Sequence, residues 1–286
     1  MRAAQATLSI LLLFSTRLVL GQNTPAPQPG AAQPPDAEHN VTDLAKQTQN
    51  PVGDVVSVPF QFNFNSGGAF KDQTFFNLNF QPVIPIHLTP RWTFIARTIV
   101  PIDSIPTSST TSSSGVGDIQ EQTFFTPARP GKLIWGIGPD FSFPTATASP
   151  AKTGTWGGGG SAVLLATPGP FVLGSLFTQL SPMHIPTASQ SSTPSSGNTS
   201  STTTSAKGWA LATAPSITAD WTAVEGQKWT IPVGGGISRT LVFNKQPMTL
   251  GFQYYYNVKR PDTAPATTVR FIIALIYPQK PAPPPH

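Results

Sequence analysis

From Val56 to Asn65 apolar and polar residues take turns. Val56, Val58, Phe60, Phe62 and Phe64 fall on one side, and Ser57, Pro59, Gln61, Asn63 and Asn65 on the other. A period of two marks a β-strand with two unlike faces. The scheme recurs at Phe76, Leu78, Phe80, Ile84, Ile86 and Leu88, which oppose Asn77, Asn79, Gln81 and His87. It recurs again where Met248, Leu250, Phe252, Tyr254, Tyr256 and Val258 oppose Thr249, Gly251, Gln253, Tyr255, Asn257 and Lys259. Near the end Val269, Phe271, Ile273, Leu275 and Tyr277 alternate with Arg270, Ile272, Ala274 and Ile276. The folded part has no long helical period. Strands are expected at 55–65, 73–88, 92–102, 117–126, 132–145, 156–167, 171–181, 208–221, 228–243, 247–259 and 267–277.

Two architectures give such alternation. A soluble sandwich turns its apolar faces inward, whereas a transmembrane barrel turns them to lipid and the polar faces to a lumen. The expected strands run to roughly 10–15 residues, against a usual length of about 5–6. Their polar faces favour Asn, Gln, Gly, Ser and Thr over Lys and Glu, and Trp92, Trp135, Trp156, Trp209, Trp221 and Trp229 stand near strand ends, where interfacial girdles are required. Connections also sort into two sets. Thr89-Pro90, Pro127 to Gly131, Pro168-Gly169-Pro170 and Asn244 to Gln246 are short. Ser66 to Asp72, Asp103 to Ser114, Ala148 to Thr155, Ala223 to Gln227 and Arg260 to Ala266 are longer or more polar, and the sets alternate. The expectation is an all-β, antiparallel, up-and-down transmembrane barrel of about twelve strands, eleven of them clear in the pattern. The twelfth is expected as a weak strand within 188–207, in a Ser/Thr tract beside a long external loop, the alternative being a tract without any strand; Thr107 to Ser114 is expected as a second Ser/Thr loop.

Composition agrees. Only 10% of the 286 residues are charged, against about 25% in ordinary soluble domains. The net charge of +5 is spread thinly, without the basic runs interleaved with aromatics that nucleic-acid binding needs. Cysteine is absent, which removes disulfides, thiol nucleophiles and Cys-based metal sites. Residues 1–21 read as a cleavable secretory signal: Arg2 gives the positive start, Leu8 to Phe14 the apolar core, and Val19-Leu20-Gly21 the cleavage site. Residues 22–50 read as a Pro-rich linker with a short helical piece, Asp43 to Gln49, whose part around Leu44 to Gln47 is expected in or below the lumen as a plug. The barrel is then expected at 51–280, with a Pro-rich tail at 281–286.

Motifs add a resemblance. Leu44-Ala45-Lys46-Gln47, Asn50-Pro51-Val52-Gly53-Asp54 and Ser57-Val58-Pro59-Phe60-Gln61 are followed by Gln81-Pro82-Val83-Ile84-Pro85 and Gly117-Asp118-Ile119. Pro130-Gly131-Lys132-Leu133-Ile134-Trp135-Gly136, Thr167-Pro168-Gly169-Pro170, Lys228-Trp229-Thr230-Ile231-Pro232-Val233 and Tyr255-Tyr256-Asn257-Val258 continue the series. In this order they resemble a bacterial outer-membrane barrel family labelled as transporters, often under the name "neuromedin U". That family is similar to barrel proteins associated with meta-pathway phenol degradation. In this chain the Ser/Thr tract replaces the Phe-, Gln- and Asn-bearing strand that members carry before the position of Gly208-Trp209. The resemblance implies an outer-membrane location and transport, and brings no catalytic or cofactor residues.

Candidate chemistry is confined to the polar faces. His39, His87, His184 and His286 lack metal-binding spacing, and Gly157 to Gly160 looks like a phosphate loop only superficially. No catalytic, cofactor or metal residues are expected. Since a lipid-facing Arg or Lys costs about 2–4 kcal/mol at the midplane, alternation should send Arg97, Asp140, Asp220, Lys259 and Arg270 inward. With Gln61, Asn63, Asn77, Asn79, Gln253 and Asn257 they make the expected lumen lining; the alternative for the charged members is an internal ion-pair network bracing a narrow barrel. The functional expectation is a passive channel for small solutes, apolar or aromatic ones included. Its partners are outer-membrane lipid, those solutes and the barrel-assembly machinery. The alternatives are a closed structural or adhesive barrel, and a secreted soluble β-sandwich.

Overall fold

Alternating side chains decide what the backbone does next: a long sheet with one greasy face must either find a second layer or close on itself. The computed structural model describes residues 55–278, apart from 71, 132, 169–170, 184–200 and 205–207. The expected signal, linker, helical piece and tail lie outside the described residues.

The strands are β1 (Val55–Ser66), β2 (Phe75–Phe80), β3 (Val83–His87), β4 (Trp92–Pro106), β5 (Ser112–Val116), β6 (Ile119–Pro127), β7 (Leu133–Phe143) and β8 (Gly157–Ala166). They continue with β9 (Phe171–Pro182), β10 (Ser201–Thr204), β11 (Trp209–Thr213), β12 (Thr218–Ala219), β13 (Trp229–Phe243), β14 (Gln246–Lys259) and β15 (Thr267–Pro278). All pairings are antiparallel, β1 joins β15, and β11 joins β13, so the sheet closes into a barrel. A single closed sheet leaves no second layer for a sandwich.

Three wall positions are each split into two segments, β2 with β3, β5 with β6 and β11 with β12, so the fifteen segments occupy twelve positions. The splits correct the expected continuous strands 73–88 and 208–221. Proline explains two of them, because Pro82 and Pro215 have no amide hydrogen for the ladder. The third falls at Gly117-Asp118, where the Asp118 carboxylate accepts from the Ala146 amide at 2.9 Å and from the Thr153 hydroxyl. A further correction concerns Asp103 to Ser114. It is no loop throughout: β4 runs to Pro106, Ser112 to Ser114 pair with it, and the turn shrinks to Thr107–Thr111. Within 188–207, β10 supplies the twelfth position, pairing with Phe171 and Val172 of β9 and with β11.

Gly157 to Gly160 is β-strand, laddered on both sides to β7 and β9. A Cβ at Gly159 would come 1.6 Å from the Gln179 carbonyl oxygen, so the glycine permits close strand approach. At one end of the barrel the turns are tight; Asn244 and Lys245, both at positive φ, make the two-residue turn from β13 to β14. Both ends of the closed sheet, Val55 and Pro278, lie at this short-turn end.

Candidate functional site

The faces divide as the alternation requires. Phe64, Ile84, Ile86, Leu164, Leu250, Phe252, Phe271 and Ile273 are exposed on the outside of the barrel, whereas Gln61, Asn63, Arg97, Asp140 and Gln253 are buried inside. Two aromatic rings bound the outer apolar band. Trp92 and Trp135 meet edge-on at 6.0 Å at the short-turn end, where Trp209 carries the Arg239 guanidinium over its face at 5.1 Å. At the long-loop end Trp156 packs on Phe143 at 5.3 Å and Trp221 on Trp229 at 5.4 Å. From Trp135 to Phe143 along β7 is about 26 Å at ~3.3 Å per residue. Tilted near 40°, that is about 20 Å of height, against a band about 25 Å tall in outer-membrane barrels.

Inside, the short-turn end is dry on one side. Val83, Ile95, Phe124, Ile134, Val163, Leu165, Val172 and Leu176, contributed by β3, β4, β6, β7, β8 and β9, form one apolar cluster. Beyond the cluster, toward the long loops, lies a belt of polar side chains. Arg97 donates through Nη2 to Gln81 Oε1 at 2.7 Å and through Nη1 to Gln122 Oε1 at 3.1 Å. Gln122 in turn donates to Asp140 Oδ2 at 3.5 Å and to Thr178 Oγ1 at 3.4 Å. Ser161 Oγ reaches the same carboxylate oxygen at 2.9 Å.

A second relay repeats the logic. Arg270 Nε donates to Asn63 Oδ1 at 2.8 Å, Asn63 Nδ2 to Asn77 Oδ1 at 2.9 Å, and Asn77 Nδ2 to Asp103 Oδ1 at 2.7 Å. In both relays a carboxamide accepts from the cation's side and donates toward the carboxylate, so each bond polarises the next. Asn79 donates to Asn77 Oδ1 at 2.7 Å and braces the chain. Gln61 sits between the relays: its Oε1 accepts from Gln81 Nε2 at 3.1 Å, and its backbone carbonyl accepts from Asn63 Nδ2 at 3.4 Å.

On its far side Arg270 stacks on the Tyr255 ring at 5.0 Å and reaches Gln253 Oε1 and the Ala214 carbonyl, each at 3.4 Å. Tyr255 donates its hydroxyl to Gln253 at 3.0 Å and accepts from the Ala214 amide at 2.8 Å. The wall breaks feed the belt directly. Gln81 stands at the break between β2 and β3, and Ala214 at the break between β11 and β12, where backbone groups released from the ladder need new partners.

The belt thus joins Gln61, Asn63, Asn77, Asn79, Arg97, Asp140, Gln253 and Arg270 of the expected lining. Three members stand elsewhere. Asn257 donates to the Pro265 carbonyl at 2.7 Å and braces the β14–β15 loop. Lys259, the last residue of β14, is exposed at the rim. Asp220 lies just past β12, where its Oδ1 accepts from the Thr222 amide at 2.9 Å and hydroxyl at 2.6 Å, closing a local turn. Strand parity places such residues correctly only while the strand lasts. Conversely Gln81, Asp103, Gln122, Ser161, Thr178 and Tyr255 belong to the belt without having been expected there. Among the described residues no group of three His, Asp or Glu gathers where it could hold a metal ion.

The fold is similar to the crystal structure of an outer membrane channel from Pseudomonas putida F1. The two align with a TM-score of 0.56 at 14% identity, over 86% of this chain and 100% of that one. This chain has an outer-membrane β-barrel fold. Outer membrane phospholipase A from Escherichia coli aligns more loosely, with a TM-score of 0.41 at 11% identity over 77% of this chain and 95% of that one. No family model matches the sequence, and no curated protein matches it. The barrel therefore rests on geometry, and the transporter labels of the resembling family on motifs alone.

Proposed function

We propose that this barrel sits in the bacterial outer membrane and acts as a narrow passive channel for small solutes, apolar or aromatic ones included. The observation that carries the reading is the pairing of an exposed apolar band between two tryptophan-bearing rings with a polar belt inside a closed sheet. Lipid rewards the first arrangement and a solute path the second. Barrels of about eight strands fill their interiors and those of 16–18 leave open channels, so twelve positions with one side packed suit a narrow, off-centre path. The partners implied are outer-membrane lipid, the permeating solutes and the barrel-assembly machinery. Diffusion through a belt of carboxamides needs no cofactor and no covalent step.

The test is conductance of the purified protein in a planar lipid bilayer. Discrete, small current steps are expected. Insertion without current would favour the second reading, a closed structural or adhesive barrel, for which the dry cluster of β3, β4 and β6 to β9 speaks.

A further inference from the structure

The polar belt is a horseshoe. Followed by hydrogen bonds it runs from Thr178 on β9 through β8, β7, β6 and β4 to β1, then over β15 and β14 to Ala214. It passes over β13 without taking a side chain from it. The inward positions of β13 at this height are Gly234, Gly236 and Ser238, set by their pairing with Tyr255, Gln253 and Gly251. The apolar cluster lines the other side of the barrel, nearer the short turns. At this height the inner face of β13 is crossed by Arg270 and Tyr255, which reach Ala214 from β15 and β14.

One charged group crosses that face. Arg270 starts on β15, lies over Tyr255 of β14, and ends 3.4 Å from the Ala214 carbonyl beyond β13. Its partners are neutral: Asn63, Gln253, the Ala214 carbonyl and the Tyr255 ring. The other belt charges are withdrawn into the wall, with Asp140 0%, Asp103 8% and Arg97 8% exposed, while Arg270 keeps partial exposure on an inward-facing strand position. A guanidinium has donors in a fixed fork and no acceptor, so it favours carboxylates and other small anions.

We propose that Arg270 is the selectivity residue of this lumen, admitting small anions, carboxylates above all. The inference rests on the channel reading given above. Its test is the reversal potential of the full-length protein in planar bilayers under a potassium chloride gradient, repeated with potassium acetate. The wild-type chain should prefer the anion in both salts. Arg270→Gln should lower the anion-to-cation permeability ratio about fivefold or more, the factor expected for one charge about 4 Å from the ion in a water-like dielectric. Gln253→Glu keeps the arginine but sets a carboxylate beside it, and should lower the ratio likewise; it serves if Arg270→Gln does not fold. Arg270→Lys should retain the preference for chloride. A conducting wild type that prefers cations, or a ratio unmoved in Arg270→Gln and Gln253→Glu, would overturn the proposal and leave the channel standing. A silent barrel would overturn both.

Discussion

Gln122 is fully buried and touches Arg97, Asp140 and Thr178 at once. Leucine at this position would match it in bulk and return none of those hydrogen bonds, leaving a buried cation and a buried carboxylate without their common partner. Gln122→Leu should therefore destabilise the barrel by about 2–4 kcal/mol, read as a lower urea midpoint for unfolding from phospholipid vesicles; an unchanged midpoint would show that the relay holds nothing together. Alternation alone did not mark this residue. It sits in Gln120-Glu121-Gln122-Thr123, where both faces of the strand are polar and the period carries no information. Gln81 fell on the polar face by the same alternation as Asn77 and Asn79, but it stands beside Pro82 at the end of the ladder and was not counted in the lining. The Ala214 backbone is invisible to any reading of side chains. By contrast Gln61, Asn63, Gln253 and Arg270 stand opposite unbroken apolar rows, and their inward direction could be read directly.

Strands have their own physics. On β14 the outward row Leu250, Phe252, Tyr254, Tyr256 is exposed while Gln253 and Tyr255 are buried. Phe252 lies midway along the strand and packs on Phe271 at 5.2 Å. Arginine there would face hydrocarbon near its midplane, so Phe252→Arg should cost about 2–4 kcal/mol, while Val258→Arg near the rim should cost about 0–1. Unfolding free energies measured in vesicles should show that depth dependence; equal costs at the two positions would deny the lipid-facing row. At this scale the sequence was informative where side chains do the specifying. It was less so at β10, whose four residues pair through backbone groups that any Ser/Thr run offers. The extra length of β4 and β5 was missed for the same reason, since Ser112 to Ser114 have no apolar rhythm to announce a ladder.

For the molecule as a whole, closure is what converts a row of phenylalanines from a core into a surface. The join of β1 to β15 and of β11 to β13 removes both sheet edges and leaves the apolar rows outside. The absence of cysteine makes this testable with one label at a time. Nitroxides attached at successive single cysteines from Leu250 to Tyr256, in protein folded into phospholipid vesicles, report collision with oxygen, which concentrates in lipid, and with a water-soluble nickel chelate. Oxygen accessibility should peak at Leu250, Phe252, Tyr254 and Tyr256 and fall at Gly251, Gln253 and Tyr255. Nickel accessibility at the outward positions equal to that of a water-exposed loop would contradict the account, because those side chains would then not be in a membrane.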